Sequence, residues 1–386
     1  LRFLKIMKAK LNYNVKNNSD LLDKIKKLKK KEWKKGLYEK QSWGHPLHRI
    51  GPYVGRIKPA FAHFLIKYLT EEGQTILDPF CGIGTIPLES SLMKRNSIGF
   101  DLNPYAIHIA EAKCNIEIDL QKKISEIEKI KINLSGYNLD KIPEWVKNYY
   151  NPRTLKEILF FLDYFKKKKD KFLYGCLLAI SQGHRPGHLS KPCAWTIPYK
   201  PRPNDPGEYR SVKPRLIAKI KRNFEETNFK RGKMKIQKKD ARKLKNISDK
   251  SIDAIITSPP YLNTLDYVNS HRLRLAICGH YENKKLVPLK NKLIQHKKTY
   301  LSEMEKVIFQ FNRVLKKNSL CCLVVGDHFD SSGKVINTYQ LLLSIFKKYN
   351  FDFIDIIEDK IPVNKSVQKK TLKIKSDRIF VLRKNA

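Results

Sequence analysis

Apolar residues along the 386-residue chain follow two rhythms. Seven short runs, Thr75 to Leu77, Ser97 to Phe100, Met234 to Ile236, Ala254 to Ile256, Leu320 to Val325, Phe351 to Ile357 and Arg378 to Leu382, have the length and bulk of strands. Several are apolar at successive positions, as a strand covered on both faces requires. Between them the spacing switches to the helical period. Ala60, Phe64, Leu65 and Leu69 share one face over 59–69, and further helices are expected over 87–93, 106–114, 300–315 and 338–349. Strand alternating with helix predicts an α/β fold built on a doubly wound, largely parallel sheet. The alternation stops once: residues 117 to about 180 read as charged helices, and 183–215 are rich in Pro, Gly, Arg and His. The chain thus divides into an N-terminal extension (1–42), two stretches of sheet (43–116 and 233–386) and one large insertion (117–232).

Charge changes this picture. Lys and Arg number 78 against 37 Asp and Glu, a formal net charge of +41. Such an excess points to a polyanionic partner, with Lys-rich composition from genome bias or heat adaptation as the rival explanation. The run Lys24 to Lys35 is either a basic helix lying on phosphates or a solvated extension. The longest apolar runs are strand-length, which excludes a membrane-spanning segment. Leu1 to Leu4 is too short for the apolar core of a secretion signal, so a cytoplasmic protein is expected. The seven cysteines contain no CxxC pair; reduced thiols are expected, with neither a disulfide framework nor a metal site.

Two strand ends carry candidate chemistry, because ligands of open α/β sheets sit beyond the carboxyl ends of strands. After the first strand comes Asp78-Pro79-Phe80-Cys81-Gly82-Ile83-Gly84-Thr85, where Gly82 and Gly84 allow a tight turn and close ligand approach. Asp101, at the tip of the second strand, is placed to accept hydrogen bonds from ribose hydroxyls. After the strand Ala254 to Ile256 comes Ser258-Pro259-Pro260-Tyr261. Two prolines remove two N–H donors and leave carbonyls free to accept. An exocyclic base amine has N–H groups to give, which the Ser258 hydroxyl and the Pro259 carbonyl can take. Tyr261 offers a flat face for an extruded base.

Together these motifs resemble the S-adenosylmethionine-dependent amino-methyltransferases of DNA, the N4-cytosine and N6-adenine enzymes, over roughly 43–115 and 234–382. The resemblance implies a Rossmann-like seven-stranded methyltransferase sheet. It implies that the loop containing Asp78, Phe80, Cys81, Gly82, Gly84 and Thr85 holds the methionine part of the cofactor, that Asp101 binds the ribose and that Asp240 lies near the adenine. Tyr53 falls in the segment that closes over the cofactor. Ser258, Pro259, Pro260 and Tyr261 become the catalytic motif, and Ser in its first position matches the form usual for cytosine N4. The insertion would be the target-recognition region, with His184, Arg185, His188, Lys191 and Arg202, and Arg272 beyond it, as candidate contacts to double-stranded DNA. A cognate restriction endonuclease is an implied partner. Four rivals stand: N6-adenine methylation, methylation of a tRNA or rRNA base amine, C5 methylation through Cys193 in Pro192-Cys193, and a non-catalytic DNA-binding subunit that has kept the fold.

Overall fold

The computed structural model describes residues 19–40, 42–114, 119–194, 207–224, 230–262, 266–279, 283–294, 296, 298–329, 335–360 and 374–385. The strands are β1 (Thr75–Asp78), β2 (Asn96–Asp101), β3 (Met234–Lys238), β4 (Ile252–Thr257), β5 (Leu315–Phe329), β6 (Val335–Ile336), β7 (Phe351–Lys360) and β8 (Ile374–Lys384). They form one sheet in the order β3-β2-β1-β4-β5-β8-β7, with the two-residue β6 pairing β5 alone. The first five run parallel, and β8 lies antiparallel to both β5 and β7. All seven expected strands are present, and β6 is the addition.

Successive residues of the central strands point to opposite faces, and both faces are covered. Ile76, Ile256 and Cys322 pack with Phe64, Leu65 and Ile66 on one side, whereas Leu77, Ile255 and Cys321 pack with Met304, Ile308 and Phe311 on the other. Each such fully buried aliphatic side chain stabilises the fold by about 1.5–3 kcal/mol. The helix Pro59–Leu69 has the bounds its periodicity predicts, with Pro59 pre-setting φ at the first position. The next two helices, Thr85–Leu92 and Pro104–Glu111, each start two residues before their expected positions. Gly84 caps the first in the left-handed conformation (φ 73°), and the Asn103 side chain accepts from Tyr105 N and Ala106 N to cap the second.

The Lys-rich segment begins as a helix, with most of its lysines exposed and a few apolar side chains buried. Ser19–Lys29 is a helix whose Ile25 and Leu28, with Trp33, are buried against Phe61 and Phe64 of the helix Pro59–Leu69. Lys29 pairs with Asp355 and Lys34 with Asp359 on β7.

The insertion is a helical layer. Helices Leu120–Lys129, Glu144–Lys147, Pro152–Lys167, Lys171–Ile180 and Val212–Asn223 share one apolar core with Tyr105, Ala106 and Ile109 of the helix Pro104–Glu111 and with Leu273 and Leu275 of the helix Arg272–Ile277. One close approach is at Gly175, where a Cβ would lie 2.5 Å from Ala112 Cβ. Among the described residues no helix is long and apolar enough to cross a membrane.

Candidate functional site

β1 and β4 are parallel neighbours, Ile76 opposite Ala254 and Leu77 opposite Ile255, so their carboxyl ends open on one rim. Thr257 Oγ1 donates to Asp78 Oδ1 at 2.6 Å and ties the two ends together. The turn after β1 needs glycine twice: Gly82 and Gly84 have φ of 50° and 73°. Cys81 N donates to the Phe100 carbonyl (2.8 Å) and Gly82 N to Asp101 Oδ2 (2.9 Å), which fastens this turn to the end of β2. Beneath it Lys113, fully buried, donates to the Ile83 carbonyl. Above it lies the Tyr53 ring, 3.1 Å from where a Gly82 Cβ would stand. Tyr53 in turn stacks on His271, centroids 4.7 Å apart and planes 2° from parallel.

These elements enclose a cavity of about 820 Å³, open to solvent. Tyr53, Asp78, Phe80, Cys81, Gly82, Thr85, Asp101 and Asp240 line it, as do Ser258 and Pro260 from the other motif. Gly84, Pro259 and Tyr261 lie outside its wall: Gly84 shapes the turn, Pro259 is buried behind the loop, and the Tyr261 hydroxyl donates to Asp377 Oδ1 at 2.7 Å. Asn103, Lys239 and Ile294, which sequence reading passed over, also face the cavity, as does Tyr267. Lys239 and Asn103 flank predicted acids and were within reach of a closer reading of those strand ends. Tyr267 opens the short helix Tyr267–Ser270, and Ile294 follows the helix Asn283–Lys292 with no motif to mark it.

The cavity floor holds carboxylates without counter-ions. Burial pushes Asp78 up to about 7, against the opposing hydrogen bonds from Thr257 and Phe80 N. Burial likewise raises Asp101 to about 6, although the amides of Asn103 and Gly82 donate to it. Among the described residues neither has a cationic partner, so a ligand bringing hydroxyl donors and positive charge fits this floor. Asp240 differs. Burial opposes its charge, but Arg242 outweighs this, binding Oδ1 through N (3.0 Å) and Nε (2.8 Å) and Oδ2 through its terminal nitrogen (2.6 Å). At the opposite wall Ser258 Oγ donates to the Val324 carbonyl (3.2 Å), which leaves its lone pairs for an incoming N–H.

None of the candidate DNA contacts among the described residues lines the cavity. His184 and Arg185 are exposed at the tip of the loop after the helix Lys171–Ile180. His188 is half-buried, and burial lowers it to about 4. Lys191 is buried, with its amide on the Tyr149 carbonyl, and Arg272 lies 5.7 Å over the Trp145 ring. Arg202 lies outside the described residues. The same loop is clamped from behind: Arg210 donates to the carbonyls of His188 (3.1 Å) and Ser190 (2.9 Å), and Arg215 to that of Pro186 (3.1 Å). Cys193 is buried beside Ser190 and outside the cavity, its thiol pKa raised by burial.

The chain was compared with known proteins. It matches the N6/N4 methyltransferase model, described as DNA methylase, over residues 4–112 and 252–386, more than half its length. It is 31% identical over 275 residues to the type II methyltransferase M.BsoBI of Geobacillus stearothermophilus, covering 59% of this chain and 53% of that one. It is also 31% identical over 152 residues to the type II methyltransferase M.MjaII of Methanocaldococcus jannaschii, covering 36% and 27% respectively. The chain therefore spans about half and about a quarter of these relatives' lengths. Among solved structures, a SAM-dependent methyltransferase from Methanosarcina mazei aligns at a TM-score of 0.36 and 12% identity, covering 83% of this chain and 97% of that one. The matched segments bracket the rim just described, one ending after β2 and the other starting with β4. The chain belongs to the N6/N4 family of DNA methylases.

Proposed function

We propose that this chain transfers a methyl group from S-adenosylmethionine to the exocyclic amine of a base extruded from double-stranded DNA, cytosine N4 being the target. One observation carries the reading. The Thr257–Asp78 hydrogen bond joins the two loops, so that Ser258 and Pro260 face the same cavity as Gly82 and Asp101. S-adenosylmethionine, when bound, supplies an electrophilic methyl carbon. Asp101 would hold the ribose hydroxyls, and Asp78 with the glycine turn the methionine part. Ser258 Oγ and the carbonyl of the Pro259–Pro260 peptide would accept hydrogen bonds from the two amine N–H groups and turn the nitrogen lone pair out of conjugation. The nitrogen then bonds to the methyl carbon as the carbon–sulfur bond breaks, and the amine releases one proton to solvent. Positioning supplies much of the acceleration. No protein nucleophile is needed, in keeping with the placement of Cys193 away from the cavity. Ser258 as the first residue of the motif supports cytosine over adenine, and the exposed loop around His184 and Arg185 would contribute to target reading.

Incubation with methyl-tritiated cofactor tests this directly. Label should pass to double-stranded DNA, and digestion of the product should yield N4-methylcytosine. Label on tRNA alone would overturn the DNA reading, and N6-methyladenine would overturn the choice of base.

A further inference from the structure

The strand order β3-β2-β1-β4 spreads the cavity along one rim. Ser258 and Pro260 stand at its β4 end, the glycine turn over β1, Asp101 over β2, and Lys239, Asp240 and Ala241 over β3. A ligand whose methyl faces Ser258 and whose ribose rests on Asp101 must carry its base past β2, over the end of β3. That end suits a flat ring, because Leu102, Ala241 and Ile294 give it apolar walls. Two polar side chains stand among them. Asp240 is engaged on both oxygens by Arg242, which is itself held by Glu303.

Lys239 is the other. Its backbone N–H donates to the Asp101 carbonyl at 3.2 Å, so the residue is fixed to the end of β2. Its Nζ is buried 5.6 Å over the Phe100 ring and has no hydrogen-bond acceptor among the described residues. A buried ammonium without an acceptor is costly, and a ligand that brings one recovers that cost. Ammonium donates three hydrogen bonds and accepts none, so it can read only the lone pairs of a base. Adenine offers three in its plane, at N1, N3 and N7.

We propose that Lys239 recognises the adenine of the cofactor by donating from Nζ to one of these ring nitrogens. This rests on the cofactor reading above and assigns to Lys239 the adenine contact that sequence resemblance gave to Asp240.

The test is calorimetric titration of the full chain with S-adenosylmethionine, with adenosine, and with 1-deaza-, 3-deaza- and 7-deazaadenosine. The wild-type chain should bind adenosine about tenfold more tightly than one of the three analogues, the loss expected for one hydrogen bond from a charged donor. Lys239→Met should weaken adenosine to the level of that analogue and leave the analogue itself unchanged. Equal binding of adenosine and all three analogues by the wild type would overturn the proposal before any variant is made. So would a Lys239→Met chain that still discriminates, or one that loses affinity equally for every nucleoside. Failure of the wild type to bind S-adenosylmethionine would instead sink the cofactor reading itself.

Discussion

Asp78 and Asp101 set the pH behaviour of the site. Both are raised by burial, to about 7 and about 6, so the folded chain holds protons that the unfolded chain has already released. Their contribution to stability is therefore full below about pH 4 and is lost as pH rises through about 6 to 7. A ligand that favours the ionised carboxylates reverses this trend on binding. The rise in melting temperature produced by S-adenosylmethionine should be small at about pH 5.5, grow to about pH 8, and lose most of its pH dependence in the Asp78→Asn, Asp101→Asn double variant. A melting shift flat across that range would mean the carboxylates do not face the ligand's charge. Tyr261 gives a second test. Because its hydroxyl is tied to Asp377 and it lies outside the cavity wall, Tyr261→Phe should lower stability in urea unfolding by about 1 kcal/mol, with cofactor affinity unchanged. Tyr261→Ala should also lose turnover, through displacement of the Ser258 loop. A Phe variant as inactive as the Ala variant would place the hydroxyl itself in the reaction. Residues whose chemistry depends on local sequence, such as Gly82, Asp101 and Ser258, were legible from the chain alone. Ile294 was not, because it follows a helix that carries no chemical motif and only the fold brings it to the cavity.

Elements were legible where one rule decided them and less so where two competed. The apolar runs gave all seven strands, most plainly at Ile252–Thr257 and Leu320 to Val325, where burial on both faces leaves few polar positions to confuse the pattern. Helix starts were missed by two residues because apolar spacing begins later than the caps at Gly84 and Asn103. The packing of the N-terminal segment was hidden by its lysines: Ile25, Leu28 and Trp33 are few, but together they pack beside Phe61 and Phe64. The insertion's attachment was equally hidden, because nothing in the sequence says that Gly175 meets Ala112. That contact makes a prediction. A Cβ at Gly175 would stand 2.5 Å from Ala112 Cβ and 3.0 Å from the His108 carbonyl, so neither helix can keep its place. Gly175→Ala should destabilise the chain by about 1–3 kcal/mol in chemical denaturation, despite alanine's higher helix propensity. A gain in stability would show that the two helices are packed more loosely than this geometry implies.

Over the whole molecule, the net charge of +41 is the largest quantity the sequence offers, and only part of it is absorbed by the fold. Lys29, Lys34, Lys171 and Lys316 are paired with acids, and Arg210 and Arg215 with carbonyls. Acids are fewer than half as many as bases, so the fold has too few carboxylates to neutralise most of the positive charge. A DNA footprint made from that excess must release counter-ions when it binds. Log K should fall by about 0.9 per decade of salt for each phosphate neutralised, giving a steep line in fluorescence anisotropy titrations between about 50 and 400 mM salt. Replacing Arg185, exposed on its loop, with Ala should lower the slope by about one such unit if it meets a phosphate, whereas Arg215→Ala should act mainly through loosening of that loop and leave the slope in place. A line without slope would leave the basic surface unrelated to DNA, and a drop in slope for Arg215 as large as for Arg185 would contradict its assignment to holding the Pro186 carbonyl.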